Sequence, residues 1–456
     1  MEQITIKEIV KAVEGEYIGC TEININEIST DTRCINNECL FVALQGERFD
    51  GHEFINAAFS RGAVCCMANK KGNYSADNVI YVDNTEKAFL KLSSAYKGKF
   101  DLFTVGVTGS VGKTTTKDII AAILSKKYNT IKTIGNLNNR IGLPKTIFNI
   151  DRSTQAAVLE MGMSDLGEIS EMSCAVKPDI AVITNIGVSH IENLKTRENI
   201  LKAKLEILDG MKNTAPVVIN YDNDLLSKIE SLSEHKVITY GIENKKARYR
   251  AESIIRMDYE TIFDIIYPEG RIEGAVIPAI GNHNVLNALC GFAVGIQLNV
   301  DPMECISGMA DYVPSGMRQK IVDFNGIKII EDCYNASPDS MKAAINVLSS
   351  IDCKGKKIAV LGDMLELGEE SMSFHKEIGS YLANKKIDCL MAYGDMAKGY
   401  FDGVNENGNV ERYLFSDKAQ LSEAIKNMLC KDDVVLFKAS RGMKLEEVIS
   451  EIYEEC

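Results

Sequence analysis

The chain has 456 residues, 45% of them hydrophobic and 25% charged, and carries a net charge of −13. These proportions fit an ordinary globular protein of about two to four domains. The acidic balance excludes broad binding to nucleic acid or anionic membranes, which takes clustered Lys and Arg, but it leaves room for a local basic pocket.

Residues 1–99 are mixed in texture, with short strand signals at "CLFVAL" (39–44) and "NVIYV" (78–82). The stretch "SSAYKGKFD" marks a boundary, so a small α/β N-terminal domain is expected over 1–99. From 100 to 313 apolar strands alternate with helical patterns. "LFTVGV" (102–107), "AAVLEMG" (156–162), "DIAVITNIG" (179–187) and "APVVINYD" (215–222) read as buried strands. Ile119, Ile120, Ile123 and Leu124 form a stripe at helical spacing. Strands alternating with helices predict a mostly parallel sheet with right-handed crossovers. From 314 to 456 the alternation restarts, with strands in "IKIIEDCYNA", "KKIAVLGDM", "CLMAYGD" and "DVVLFKAS". This reads as a Rossmann-like doubly wound domain, but no G-x-G-x-x-G follows its first strand, so no dinucleotide site is supported. The predicted class is therefore α/β in three domains. No 20- to 50-residue period repeats, which excludes a solenoid.

The 13 cysteines are scattered, with no C-x-x-C pair. Neither a zinc site nor a disulfide framework is expected, and free thiols in this number fit a cytoplasmic protein. The start, "MEQITIKEIVKAV", is no signal peptide, and no run of about 18 apolar residues occurs, so no membrane insertion is expected.

The stretch "VGVTGSVGKTTTKDIIAAIL" (105–124) carries the strongest chemical signal. A strand, a glycine turn, Gly112-Lys113-Thr114 and a helix make the setting of a P-loop. Gly109 and Gly112 let backbone N–H groups turn inward around phosphate oxygens, and the helix N-terminus adds a favourable dipole. Lys113 can neutralise the β- and γ-phosphates and Thr114 can ligate Mg²⁺. The long G-x-x-x-x-G-K-[ST] form fails, because position 107 is Val; the shorter T-G-x-x-G-K-T stands here, with Thr108, Ser110, Val111 and Thr115 completing the loop. Glu160 ends one buried strand and His190 follows another, where sheets of this type place ligands. A buried Glu beside a phosphate loop has a reason to exist if Mg²⁺ is there. A lone His is more often structural. Lys202 and Lys204 share one predicted helix, and a solvated face is the plain reading of either.

Several further segments give the chain its resemblance to the Mur ligase family of ATP-dependent amide-forming enzymes. They are "STDTR" (29–33), "GNLNNRIGLP" (135–144), "LEMGMSDLGEI" (159–169), "TNIGVSHIENL" (184–194), "KAKLEIL" (202–208), "GNHNVLNAL" (281–289), "PSGMRQ" (314–319), "EDCYNASPDSM" (331–341), "LGDMLELG" (361–368) and "KASRGMKLE" (438–446). The style of three of them resembles the branch that adds D-alanyl-D-alanine to a UDP-N-acetylmuramoyl-tripeptide. The D-N-P-[RA] signature of the branch adding the third residue is absent. "SDLGEI" departs from the usual pattern and leaves the role of Asp165 open.

The resemblance implies an ADP-forming ligase acting through an acyl phosphate, with ATP and two Mg²⁺. Thr114 and Glu160 would ligate one Mg²⁺, and His190 a second. Lys204 aligns with the family's carbamylated lysine, with Lys202 as its in-register rival. Asn282, Asn284 and Asn287 resemble adenine contacts, and an Asn-rich helix cap is the other reading. Arg318 and Asp332 resemble phosphate and ribose contacts from the third domain. Tyr334, Asn335, Lys438, Ser440 and Arg441 resemble groups meeting the peptide substrate, where a cationic pair fits the dipeptide's carboxylate. Ser29, Asp31 and Arg33, with Asn138, Asn139 and Arg140, are candidates for the UDP end. A monomer with no nucleic-acid partner is expected, and the split of ATP contacts between Lys113 of the central domain and Arg318 and Asp332 of the third predicts a third domain that swings in over ATP. Another amino-acid-adding ligase of the family, or a P-loop nucleotide switch, is the alternative.

Overall fold

The structure, a computed structural model, describes every residue except 47–48, 76, 230–233, 406–409 and 456. The class is α/β, built on three main sheets. The first is four-stranded and wholly parallel, in the order Glu27–Ser29, Cys39–Val42, Ala63–Ala68, Val79–Tyr81. Every residue of Cys39–Val42 is buried, the unbroken apolar run of a strand covered on both faces. The preceding helix Ile6–Val13 starts on a capping box between Thr5 and Glu8. Helix Thr85–Lys97 docks this unit on the next. Tyr96 donates to the Ile150 carbonyl at 2.7 Å, and its ring lies 5.4 Å from that of Phe148. The two units thereby share one apolar core.

The central sheet has nine strands. From Thr130–Lys132 it runs through Ala156–Glu160, Phe103–Thr108, Ile180–Ile183, Val217–Asn220 and Val237–Gly241 to Tyr249–Arg256, all in parallel pairs. The expected parallel order then gives way. Thr261–Tyr267 and Gly270–Ile277 add on antiparallel, joined by tight turns with no helix between them. A parallel neighbour needs a crossover of a dozen or more residues, and the chain here is too short for one. Helices Lys113–Leu124 and Asn282–Gln297 cover one face of this sheet and pack on one another, with Ile119, Ile120, Ile123 and Leu124 fully buried.

The third sheet has six strands in the order Lys320–Phe324, Ile327–Glu331, Val434–Lys438, Lys357–Gly362, Cys389–Tyr393, Glu411–Phe415. All pairs are parallel but the first, an antiparallel edge. The connection between the second and third units is pinned to the central one. Ser315 donates to the buried carboxylate of Asp118 on helix Lys113–Leu124, and Lys117 and Lys132 lie 3.2 and 2.8 Å from that carboxylate. Among the described residues no helix is long and apolar enough to cross a membrane. The twelve cysteines among the described residues are free thiols, and among those residues no group of three or more His, Cys, Asp or Glu is placed to hold a metal ion on its own.

Candidate active site

The carboxyl ends of the central strands open into a cleft of about 820 Å³ whose opposite wall belongs to the third unit. Strand Phe103–Thr108 delivers the loop 109–112, and Gly112 takes the left-handed conformation (φ 81°) that a side chain would disfavour. A Cβ on Gly109 would lie 2.0 Å from Thr184 Oγ1, so this position has no room for one. The loop is clasped by the segment after strand Ile180–Ile183. Thr184 Oγ1 donates to the Val111 carbonyl at 2.6 Å, Asn185 Oδ1 accepts from Val111 N at 2.8 Å, and Ser110 Oγ accepts from Gly187 N at 2.9 Å. Thr108 is tied to the Met161 carbonyl (2.9 Å), and Thr115 lies against Tyr312 of the inter-unit connection. Lys113 folds back to donate to the Gly109 and Ser110 carbonyls at 2.8 and 3.3 Å. Burial pushes its pKa down, the charge of Arg318 adds to that, and Glu160 opposes it.

Glu160 is buried at the end of its strand. Its carboxylate accepts from Thr114 Oγ1 and from Asn138 Nδ2, each at 2.8 Å. His190 caps the short helix Ile191–Leu194 in a left-handed conformation, φ 63°. Its Nδ1 lies 2.8 Å from Glu366 Oε2 of the third unit, and this contact holds the Glu366 carboxyl below the usual carboxylate range. The two rival lysines separate cleanly: Lys202 is exposed and Lys204 is 1% exposed. Lys204 lies beneath the cleft wall rather than on it. Burial, and then the neighbouring charge of Lys113, press its pKa well below that of an ordinary lysine.

On the facing wall, Arg318 stacks on Tyr334, 3.8 Å from the ring centroid. Asp332, Asn335 and Ser440 also line the cleft. Lys438, expected among the peptide contacts, is buried. Its ammonium is surrounded by Asp332 Oδ2 (2.9 Å), the Asn335 carbonyl (3.0 Å) and the Asp332 carbonyl (3.4 Å). Lys438 and Arg441 both line the cleft; Lys438 orders the wall, and Arg441 pairs with Glu446 at 2.9 Å. Ser440 Oγ accepts from Leu365 N at 2.9 Å, which ties the Arg441 loop to the Glu366 loop.

Of the three asparagines, Asn284 and Asn287 line the cleft. Asn287 Oδ1 accepts from Thr116 Oγ1 at 3.0 Å and lies where a Gly112 Cβ would touch it. Asn284 donates to the Ile280 carbonyl (3.0 Å) and to Gln319 (3.1 Å). Asn282 is turned to Arg256 at 3.1 Å. The candidates for the UDP end are dispersed. Asn138 and Asn139 line the cleft, and Asn139 Oδ1 accepts from Ile141 and Gly142 N–H to start helix Gly142–Ile147. Arg140 sits among Glu86, Glu171 and Glu168 at 3.0, 3.2 and 3.7 Å, bridging the first two units. Ser29, Asp31 and Arg33 form a self-contained turn outside the cleft. Arg33 pairs with Asp31 at 2.7 Å and holds its carboxyl down at about 2.

Thr184, Asn185, Gln319, His283 and Glu366 also shape the cleft, and motif reasoning does not single them out. His283 and Gln319 meet at 2.8 Å, and burial lowers the imidazole's pKa. Thr184 and Asn185 stand inside the quoted "TNIGVSHIENL", where polar residues at a strand end are an available signal.

Residues 24–97 match the family description "Mur ligase family, catalytic domain", residues 107–295 "Mur ligase middle domain" and residues 317–441 "Mur ligase, glutamate ligase domain". The chain is 40% identical over 456 residues to the UDP-N-acetylmuramoyl-tripeptide–D-alanyl-D-alanine ligase of Bacillus subtilis, covering 99% of this chain and 98% of that protein. The enzyme of the same description from Escherichia coli is 31% identical, with 100% and 99% covered. Among solved structures, MurF from Acinetobacter baumannii superposes with a TM-score of 0.92 at 28% identity, covering 100% of both chains. A MurF ligase from Thermotoga maritima in complex with ADP gives 0.84 at 31% identity, covering 94% of this chain and 97% of that one.

Proposed function

The chain belongs to the Mur ligase family, and from that premise we propose that it is the ATP-dependent, ADP-forming ligase that joins D-alanyl-D-alanine to the terminal carboxylate of UDP-N-acetylmuramoyl-tripeptide. The product is the pentapeptide precursor of peptidoglycan, and the reaction belongs to the cytoplasm. The units are residues 1–99 for the UDP-substrate, 100–313 for ATP and 314–456 for the dipeptide. The observation that carries this reading is the cleft itself, with the phosphate loop on one wall and Arg318 and Arg441 on the other.

A carboxylate does not accept an amine until one of its oxygens becomes a leaving group. The substrate carboxylate attacks the γ-phosphorus, the bond to ADP breaks, and an acyl phosphate forms. The dipeptide's amine then attacks the acyl carbon, loses its proton, and inorganic phosphate departs. In the first step two anions must meet, so fixed cations have to dominate the site. Lys113 leaves the Gly109 and Ser110 carbonyls for the β- and γ-phosphates, and the loop N–H groups and helix N-terminus receive the remaining charge. Arg318 approaches the same phosphates from the other wall. Arg441 takes the dipeptide's carboxylate, while Lys438 holds Asp332 and the backbone of Asn335 in place.

The residues present fit Mg²⁺. Thr114 and Glu160 offer hard oxygens 2.8 Å apart beside the phosphate loop, the sparse donor set of an ion that arrives with nucleotide phosphates. Held by Thr114 and Glu160, Mg²⁺ would supply positive charge against which the phosphates and the activated carboxylate can meet. His190 is the second-site ligand in this reading, and Lys204 the carbamylated lysine. Burial and Lys113 favour the neutral amine of Lys204, the form that adds CO₂ with loss of a proton. The carbamate then supplies a carboxylate where a bare ammonium would repel a cation.

The test is phosphate release from ATP with UDP-N-acetylmuramoyl-tripeptide plus D-alanyl-D-alanine, against either alone and against free amino acids. Release that depends on both partners is expected. Equal release without the dipeptide would favour a nucleotide switch and overturn the reading.

A further inference from the structure

The contact between His190 and Glu366 joins two units and belongs to no role assigned above. Four observations bear on it. First, the two side chains lie 2.8 Å apart, Nδ1 to Oε2. Second, both residues hold left-handed backbone conformations, φ 63° at each, although neither is glycine. Such strain persists only where the surroundings over-determine it, and it clusters at functional sites. Third, both line the cleft that contains Lys113, Thr114 and Glu160. Fourth, the segment around His190 is docked on the third unit at more than one point. Val188 and Ile191 pack against that unit's apolar core, and the Asp339 carboxylate lies over Gly187. The Glu366 loop is itself fixed, because Leu365 N donates to Ser440 Oγ.

We propose that Glu366 is a positioning residue for the ligation, one that sets the tautomer and orientation of His190 only when the third unit is docked. A carboxylate oxygen can only accept, so the proton on the neutral imidazole is held at Nδ1 and the lone pair is left at Nε2. A histidine that is to ligate a cation through one ring nitrogen is commonly held this way through the other. The inference rests on the ligase reading above. It adds that the central unit alone leaves His190 free to take either tautomer. The cation-binding face of the site is therefore completed by a side chain from the unit that brings the dipeptide. Phosphoryl transfer is thereby favoured only after docking, when water is excluded from the acyl phosphate.

The test uses the full chain labelled with ¹⁵N-histidine, above the imidazole's ordinary titration range, with a non-hydrolysable ATP analogue and the UDP-tripeptide bound. There are five histidines, and His190→Gln identifies the signal of interest. The wild type is expected to show His190 protonated at Nδ1. Glu366→Ala is expected to move it toward the tautomer mixture of a free imidazole and to lower kcat about 10- to 100-fold with little change in KM for ATP. Glu366→Gln, whose amide oxygen also accepts, is expected to restore both the tautomer and most of kcat. Unchanged His190 nitrogen shifts in Glu366→Ala would overturn the proposal, as would equal impairment of both variants. The tautomer is read without turnover, so failure here is distinguishable from failure of the ligase reading, which shows as absent dipeptide-dependent phosphate release in the wild type.

Discussion

The two walls of the cleft are built differently. On the nucleotide side the phosphate loop and Glu160 are held by their own unit, whereas His190, His283 and Asn284 reach Glu366 and Gln319 of the third unit. Thr184 and Asn185 clasp the loop, Thr114 and Asn138 hold Glu160, and Asn287 pins the helix behind. On the facing side Lys438 orders the backbone around Asp332, but Glu366 and Ser315 find their partners across the seam. The phosphate loop is complete within its own unit, and the rim of the cleft around His190 is completed by docking. On the ligase reading, nucleotide meets a loop already clasped in place, and the main adjustment on that side is the ammonium of Lys113 leaving the Gly109 and Ser110 carbonyls.

The most severe break in this comparison is Lys113→Ala. It removes the central charge of the preassembled wall and is expected to lower kcat about a thousandfold while leaving the thermal midpoint near that of the wild type. Steady-state ADP formation and a melting curve check both halves. Lys204→Ala is expected to cost about a hundredfold, with partial recovery when a short carboxylic acid is added. Lys202→Ala, on the exposed side of the same helix, should stay within about twofold. An undiminished Lys204→Ala enzyme would remove the carbamate role. Arg140→Ala sharpens the contrast at the other seam. It leaves Glu86, Glu168 and Glu171 facing one another without their shared cation. A several-fold rise in KM for the UDP-tripeptide is expected, with little change for ATP.

The smallest effect is thermodynamic. His375 is fully buried, and burial lowers its pKa from 6.5. Below 6.5 the unfolded chain takes up a proton that the folded chain refuses. The stabilisation is therefore complete above that value and is lost as pH falls through it toward the lower folded pKa. The urea midpoint of the third unit should fall between about pH 7 and 5.5, and His375→Asn should flatten that fall. A slope unchanged in the variant would deny His375 any part in it.

The strand-and-loop skeleton is readable because its signals are local: buried apolar runs, a glycine turn and a helix stripe all lie within about twenty residues. The antiparallel strands Thr261–Tyr267 and Gly270–Ile277 escape that reading because the alternation upstream sets the expectation of crossovers. Their short turns and the lack of any helical stretch between them carry the information. At the site, the phosphate loop and Glu160 can be found from residue type and strand position. Which of Lys202 and Lys204 faces inward is legible only through the helix's apolar stripe, since Lys204 lies four residues from Ile200 on one face and Lys202 on the opposite one. Lys438 and Arg441 read alike in sequence as cations beside a strand end; only packing separates the buried Lys438 from the accessible Arg441. Glu366 is silent because its partner, His190, lies far away in the chain and in another unit.

Gly187 carries a consequence of its own. A Cβ there would lie 2.2 Å from Asp339 Oδ2, and Ser110 Cβ is 3.4 Å away. An added carbon there has to displace the Asp339 carboxylate, the far end of a side chain. Gly187→Ala would therefore act as a shim whose thickness the Asp339 side chain has to absorb, loading the joint between the two units without breaking the clasps on the nucleotide loop.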